Sequence, residues 1–260
     1  MNKPKAIDLF AGCGGFSLGL KKAGFQVIAA VEIDKWAAET YRHNHKDTIV
    51  LEEDIRQVTA RHLLKIARIK KGELDLLVGG PPCQGFSIMN VNRSLNNPRS
   101  KLMYEFIRMA KGILPKIFEI ENVPGMFSYN DFFILLMKTL ERYGYVVRCL
   151  MMDAVSYGLP QYRKRIFIQG TRKDLNIIPT FPTPSYFDPK QLKLKKGQIF
   201  TAAEIATECF AVNGFMKEEV KDLYWNGKLD IQMNRKTAAN VINLAINKLL
   251  GESIKSACIK

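Results

Sequence analysis

Lys5-Ala6-Ile7-Asp8-Leu9-Phe10-Ala11-Gly12-Cys13-Gly14-Gly15 is the stretch from which the fold is read. Its apolar part, Lys5–Phe10, predicts a short buried strand, and the turn Ala11–Gly15 follows. A helical pattern then starts near Phe16 and ends at Gly24, a residue suited to stopping a helix. Strand, glycine turn and helix in that order form a nucleotide-binding layout, because glycines let a ligand approach backbone amides at a helix start. Such glycines also serve tight strand–helix packing, so this stretch alone leaves both readings open.

The next units extend the pattern. Gln26–Val31 reads as a second strand ending in Glu32, followed by a helix from about Lys35 to His45. An acidic residue there can accept hydrogen bonds from ribose hydroxyls; the ordinary alternative is an acidic helix N-cap region, a role open to Asp34. A third apolar piece, Thr48–Leu51, leads into Glu53-Asp54-Ile55. Three successive strand ends thus carry Gly, Glu and Asp, all expected on one edge of a parallel sheet. No phosphate-binding lysine motif of the P-loop type is present, and an adenosine-bearing cofactor without a polyphosphate fits the pattern.

Residues 58–71 predict a basic amphipathic helix, after which Leu74–Val78 reads as a fully buried strand because its apolar residues are continuous. The strand runs into Gly79-Gly80-Pro81-Pro82-Cys83-Gln84-Gly85-Phe86-Ser87. The two prolines fix φ and stiffen the approach, so Cys83 is delivered to a defined point beyond the strand, where ligands gather in open α/β sheets. A lone cysteine is by default a small buried hydrophobe; this setting makes Cys83 a candidate nucleophile. The polar loop 84–100, with four asparagines, predicts a lid or else a surface loop.

Leu102–Leu114 reads as a helix and Lys116–Ile120 as a strand that ends in Glu121-Asn122-Val123. Glu121 is expected on the sheet edge that carries Cys83, and a nucleophile with a facing carboxyl group forms a catalytic pair. Asp131–Arg142 predicts a helix, and Gly144–Met151 and Arg165–Gly170 predict two further strands. Arg163-Lys164-Arg165 enters the last of these: solvated edge charges, or an anchor for a carboxylate or a base oxygen.

The 260 residues suit one large domain or a domain with a small appendage, and 47% hydrophobic content supports a substantial core. A net charge of +14 points to a polyanionic partner. The five scattered cysteines form no CxxC pair, which argues against a disulfide framework or a zinc site, and a reducing cytoplasm is expected. No signal-like leader and no apolar run near the ~18 residues of a membrane span are seen. Thr180–Gln198, rich in proline and lysine, resembles a connector. Residues 201–225 and 236–250 carry weaker helical patterns, the second with a core-packing stripe.

Over residues 5–205 the chain resembles the DNA (cytosine-5) methyltransferases. The motifs are Asp8–Gly15, Gly79–Ser87, Glu121-Asn122-Val123 and Gln161-x-Arg163-x-Arg165, supported by Asn97–Leu102 and Thr201–Ile205. The resemblance implies an α/β, class I S-adenosylmethionine-dependent methyltransferase fold: a mainly parallel doubly wound sheet with an antiparallel edge hairpin. It implies Cys83 attacking C6 of a flipped-out cytosine in double-stranded DNA, Glu121 at N3, Arg165 near the base oxygen, and Arg163 orienting the site. Phe10, Gly12 and Gly14 match positions around S-adenosylmethionine, with S-adenosylhomocysteine as product, and Glu32 matches the ribose ligand. Ile33, Asp54 and Ile55 match adenine contacts, Pro82 and Leu102 the pocket wall, and Ser87 a contact to the DNA backbone. No metal is implied, and restriction-associated protection is the expected context.

The resemblance weakens toward the carboxy terminus. Between Ile205 and Asn234 stand about thirty residues, fewer than a separate base-reading domain needs. Asn234-Arg235-Lys236-Thr237 is a poor match to the family's last motif, and with four residues before the first strand a circular permutation is not expected. The expected organisation is a catalytic domain over 1–175, then a connector and small helical part over 176–260 without a target-recognition domain. A second polypeptide is expected to supply that region. A decayed or purely DNA-binding regulatory subunit, or a tRNA methyltransferase in which Cys209-Phe210-Ala211 stands for a Cys-Phe-Thr triplet, are the alternatives.

Overall fold

The computed structural model describes residues 3–82, 102–128, 130–157, 159 and 161–184. Among these residues seven strands form one sheet: β1 (Lys5–Leu9), β2 (Gln26–Glu32), β3 (Ile49–Glu52), β4 (Leu76–Gly79), β5 (Ile117–Asn122), β6 (Tyr145–Asp153) and β7 (Lys164–Arg172). Their order is β3-β2-β1-β4-β5-β7-β6. The first five run parallel, while β7 is antiparallel to both β5 and β6. Strand order reverses between β1 and β4, which makes their carboxy-terminal ends the switch point where open α/β sheets bind ligands.

Among the described residues five α-helices cover the sheet: α1 (Gly15–Lys22), α2 (Lys35–Asn44), α3 (Ala60–Ile66), α4 (Leu102–Ile113) and α5 (Asn130–Arg142). Helix α1 contributes Leu20 to a core with Ala6, Val27, Leu76, Val78 and Ile117. Ile7, Leu9, Leu77, Phe118 and Ile120 point the other way, into the larger core with Leu63 of α3, Phe106 of α4 and Leu140 of α5. Alternation along β1, β4 and β5 therefore feeds both layers, which is why apolar residues stand at adjacent positions in these strands. Side chains start two helices: Asp34 accepts from the Ala37 amide at 2.8 Å and Thr59 from that of His62 at 3.1 Å.

Two elements depart from the sequence reading. The basic helix expected over 58–71 is only Ala60–Ile66, since the chain turns at Arg68 (φ 51°) and Gly72 (φ 89°). Strand β5 runs on through Glu121 and Asn122, because β7 pairs with it that far, Glu121 opposite Phe167 and Asn122 opposite Ile166. Lower on the same two strands, the Gln169 amide donates to buried Glu119 at 2.9 Å and its oxygen accepts from the Thr180 amide at 3.1 Å. That pair tethers the chain leaving β7.

Candidate active site

The ends of β1, β2, β4 and β5 share one edge of the sheet, and β7, being antiparallel, begins on that same edge. At the end of β1, Phe10 (φ 57°) takes the left-handed conformation, which a bulky residue adopts only under constraint. Gly12 (φ 55°) and Gly14 (φ 89°) continue the turn. A Cβ on Gly12 would meet nothing within 4 Å, whereas one on Gly14 would lie 2.4 Å from His45 Nε2. Gly12 thus keeps a face of the turn open, and Gly14 packs against the protein. No side chain caps the start of α1.

Glu32 ties this turn to the next loop. One carboxylate oxygen accepts from the Gly12 amide at 2.7 Å and the other from the Asp34 amide at 2.8 Å. A carboxylate oxygen carries two lone-pair positions, so both retain capacity for sugar hydroxyls. Beside it, Ile33 is 63% and Trp36 74% exposed, large apolar side chains on the rim of the same edge. Behind the turn, Tyr41 Oη donates to Ser17 Oγ, and Ser17 Oγ to Asp8, each at 2.6 Å. Burial pushes the Asp8 carboxyl up to about 7. A turn left open at Gly12, a carboxylate at the end of β2 and an apolar rim fit an adenosine-bearing group. Asp54 is engaged by Arg56 at 2.9 Å, the Ile55 side chain is buried in the core, and the Ile55 carbonyl accepts from Arg108 at 2.8 Å.

The second half of the edge lies over β4, β5 and β7. Glu121 Oε1 is 2.8 Å from Arg165 Nε, and Arg165 also donates to the Lys164 carbonyl at 2.7 Å. Burial pushes the Glu121 carboxyl up, opposed by the charges of Arg165 and Arg163. A carboxyl group so placed takes up a proton more readily than an exposed one, yet keeps a cation at hand for the ionised state. Arg163 is held through its backbone: its amide donates to Asp153 at 3.0 Å and its carbonyl accepts from the Ala154 amide at 3.1 Å.

The Gly79-Gly80 pair works through space rather than dihedral freedom, since neither residue adopts positive φ. A Cβ on Gly79 would stand 2.6 Å from the Leu9 carbonyl of β1, and one on Gly80 would be 3.3 Å from Glu121 Oε2. Gly79 therefore lets β4 close on β1, and Gly80 makes room for the carboxylate. Asn122, to which the sequence reading gave no role, donates from Nδ2 to the Pro81 carbonyl at 3.3 Å and accepts the Val123 amide at 2.9 Å. It fastens the Pro-Pro turn to the strand bearing Glu121.

Of the predicted site residues, Phe10, Gly12, Gly14, Glu32 and Ile33 share one stretch of the edge, and Glu121, Arg163 and Arg165 the other. Pro82 is exposed at the end of the described turn and half-buried Leu102 opens α4. Cys83, Ser87, the loop 84–100 and the carboxy-terminal helical patterns lie outside the described residues. Among the described residues no group of His, Cys, Asp and Glu could hold a metal ion, and no helix is long and apolar enough to cross a membrane. Asn122, His45, Ser17 and Tyr41 escaped the sequence reading, the first despite standing inside a quoted motif.

Sheet order, glycine turn and acidic strand ends together define a class I methyltransferase fold. Residues 4–256 match the sequence model of the C-5 cytosine-specific DNA methylases, and the chain belongs to that family. It is 41% identical over 198 residues to the Type II methyltransferase M.FnuDI of Fusobacterium nucleatum, covering 75% of this chain and 55% of that protein. It is 37% identical over 199 residues to the Type II methyltransferase M.AquIA of Picosynechococcus, covering 73% of this chain and 79% of that one. A solved Escherichia coli prophage protein, described as a DNA modification methyltransferase, superposes with a TM-score of 0.63 at 32% identity, over 72% of this chain and 52% of that one. The chain spans little more than half the length of M.FnuDI.

Proposed function

We propose that this chain transfers a methyl group from S-adenosylmethionine to C5 of cytosine in double-stranded DNA. The observation that carries the reading is the Glu121–Arg165 pair, 2.8 Å apart and fastened through Asn122 to the turn that precedes Cys83. C5 of cytosine is a weak nucleophile while the ring is aromatic. Addition of the Cys83 thiolate to C6 breaks that aromaticity and leaves C5 enamine-like. Glu121 donates a proton or hydrogen bond at N3, offsetting the charge that builds on the ring, and Arg165 does so at the base oxygen. When bound, the cofactor supplies an electrophilic methyl group on a sulfonium. Loss of the C5 proton and elimination of Cys83 from C6 then restore the ring and the free thiol.

The target base must leave the helix to reach this edge, which costs a few kcal/mol of stacking and pairing. The loop 84–100 is the proposed cover for it, with Ser87 at the backbone. Glu32 takes the ribose hydroxyls, Ile33, Asp54 and Ile55 the adenine, and Phe10, Gly12, Gly14, Pro82 and Leu102 the remaining walls. Residues 1–175 form the catalytic domain. A second polypeptide supplies target recognition, a reading supported by the short interval between Ile205 and Asn234. Restriction-linked protection in the cytoplasm is the proposed role.

The test is transfer of tritiated methyl groups from S-adenosylmethionine to cytosine-containing duplex DNA, with and without the polypeptide encoded next to this one. Transfer that needs Cys83 supports the reading, and transfer only in the mixture supports the split organisation. DNA binding without transfer in either reaction contradicts it and favours a binding subunit.

A further inference from the structure

His45 closes α2, thirty-one positions beyond Gly14, yet the two meet behind the glycine turn. The His45 ring is buried, and its Nε2 lies 3.1 Å from the Gly14 carbonyl. A carbonyl can only accept, so Nε2 carries the proton and donates. The ring also packs against Tyr41, with centroids 4.4 Å apart. A Cβ on Gly14 would collide with both residues, at 2.4 Å from His45 Nε2 and 2.8 Å from Tyr41 Cδ2, so the turn rests directly on these two rings. Gly14 itself sits in the left-handed region where α1 begins without a side-chain cap.

The front of the turn is held by Glu32 at Gly12; its back is held by His45 at Gly14. We infer that His45 is a positioning residue for the cofactor, donating to the Gly14 carbonyl so that the Gly12–Gly14 backbone is already shaped before S-adenosylmethionine arrives. Nothing in this role touches the reacting atoms. The inference rests on the proposed use of this turn for the cofactor. It follows the general rule that a contact formed in advance lowers the ordering cost of binding.

A lost hydrogen bond of this kind is worth about 0.5–1.5 kcal/mol, equivalent to roughly two- to tenfold in affinity. Calorimetric titration with S-adenosylhomocysteine is the test, on the full chain at a temperature where every variant is folded. His45→Ala is expected to weaken binding about three- to tenfold. His45→Gln places an amide donor near the position of Nε2 and is expected to bind within about twofold of the wild type. Leu140→Ala, in the core of α5 away from the turn, lowers thermal stability and controls for instability alone; its affinity is expected to match the wild type. Equal affinity of His45→Ala and the wild type overturns the inference, as does a His45→Gln protein as weak as His45→Ala. If His45→Ala does not fold, His45→Leu, which fills the space without a donor, takes its place with the same expected loss. A wild-type protein that binds no S-adenosylhomocysteine overturns the cofactor reading beneath it as well, and so separates the two failures.

Discussion

Glu121 Oε1 and Arg165 Nε stand 2.8 Å apart, the first from the last turnings of β5 and the second from the opening of the antiparallel β7. Only a strand running against β5 could deliver its first residues to that edge. The antiparallel β7 thus brings a cation to a site otherwise made from the ends of parallel strands. Burial pushes the Glu121 carboxyl up, and the charge of Arg165 opposes that effect.

Glu121→Gln keeps the shape and loses the acid. Methyl transfer is expected to fall about 10²- to 10⁴-fold, the range for a positioned general acid. Affinity for S-adenosylhomocysteine should stay within about twofold of the wild type, since Glu121 lies apart from the β1 turn. Single-turnover kinetics and titration check the two halves separately. A parallel loss of both would contradict the division of the edge.

Arg165→Gln removes a charge that holds the Glu121 pKa down, so burial carries it further up. If protonated Glu121 is the working form, kcat/KM falls as pH rises through its pKa. In the variant that alkaline limb should move to higher pH, with a lower plateau. A limb that stays in place would show that some other group titrates.

The two glycines after β4 should respond differently. Gly79→Ala sets a methyl group against the Leu9 carbonyl at 2.6 Å, backbone that cannot move cheaply, and a cost of about 1–3 kcal/mol in thermal unfolding is expected. Gly80→Ala meets Glu121 Oε2 at 3.3 Å, so the fold should be nearly unchanged while kcat drops. The reverse pattern would contradict the roles assigned to them.

Burial raises Glu119 to about 8 and Asp8 to about 7. Both ionise near 4 in the unfolded chain, so between about pH 4 and 8 the folded state holds more protons, and stability falls as pH rises. Glu119→Gln cannot ionise and should keep the Gln169 contact. Its melting temperature should decline less between pH 5 and 8 than that of the wild type; equal declines would contradict the reading.

Much of the fold was legible because it rests on local signals. Apolar stretches marked β1, β2, β4 and β5, that of β4 unbroken, and glycines marked the turns. What was missed depends on contacts distant in sequence. Strand β5 extends through Glu121 because β7 pairs with it, and no local pattern announces that. His45 reads as the polar end of a helix until the fold brings Gly14 to it. The helix over 58–71 was drawn too long because its amphipathic pattern outlasts the turn at Arg68. At Gly79 and Gly80 the space they leave is what matters, and the neighbours that need it are distant in sequence. The motifs named Glu121 and Arg165, and the sheet supplied their distance.

The central claim is that Cys83 bonds to C6 of cytosine, and a duplex with 5-fluorocytosine in place of cytosine tests it most directly. With fluorine at C5 there is no proton to lose, so the sulfur–carbon bond cannot break. Incubated with S-adenosylmethionine and the neighbouring polypeptide, the wild-type protein is predicted to give a denaturant-stable DNA adduct that maps to Cys83 and is absent from Cys83→Ser. An adduct that persists in Cys83→Ser, or no adduct from a protein that binds both DNA and cofactor, would contradict it.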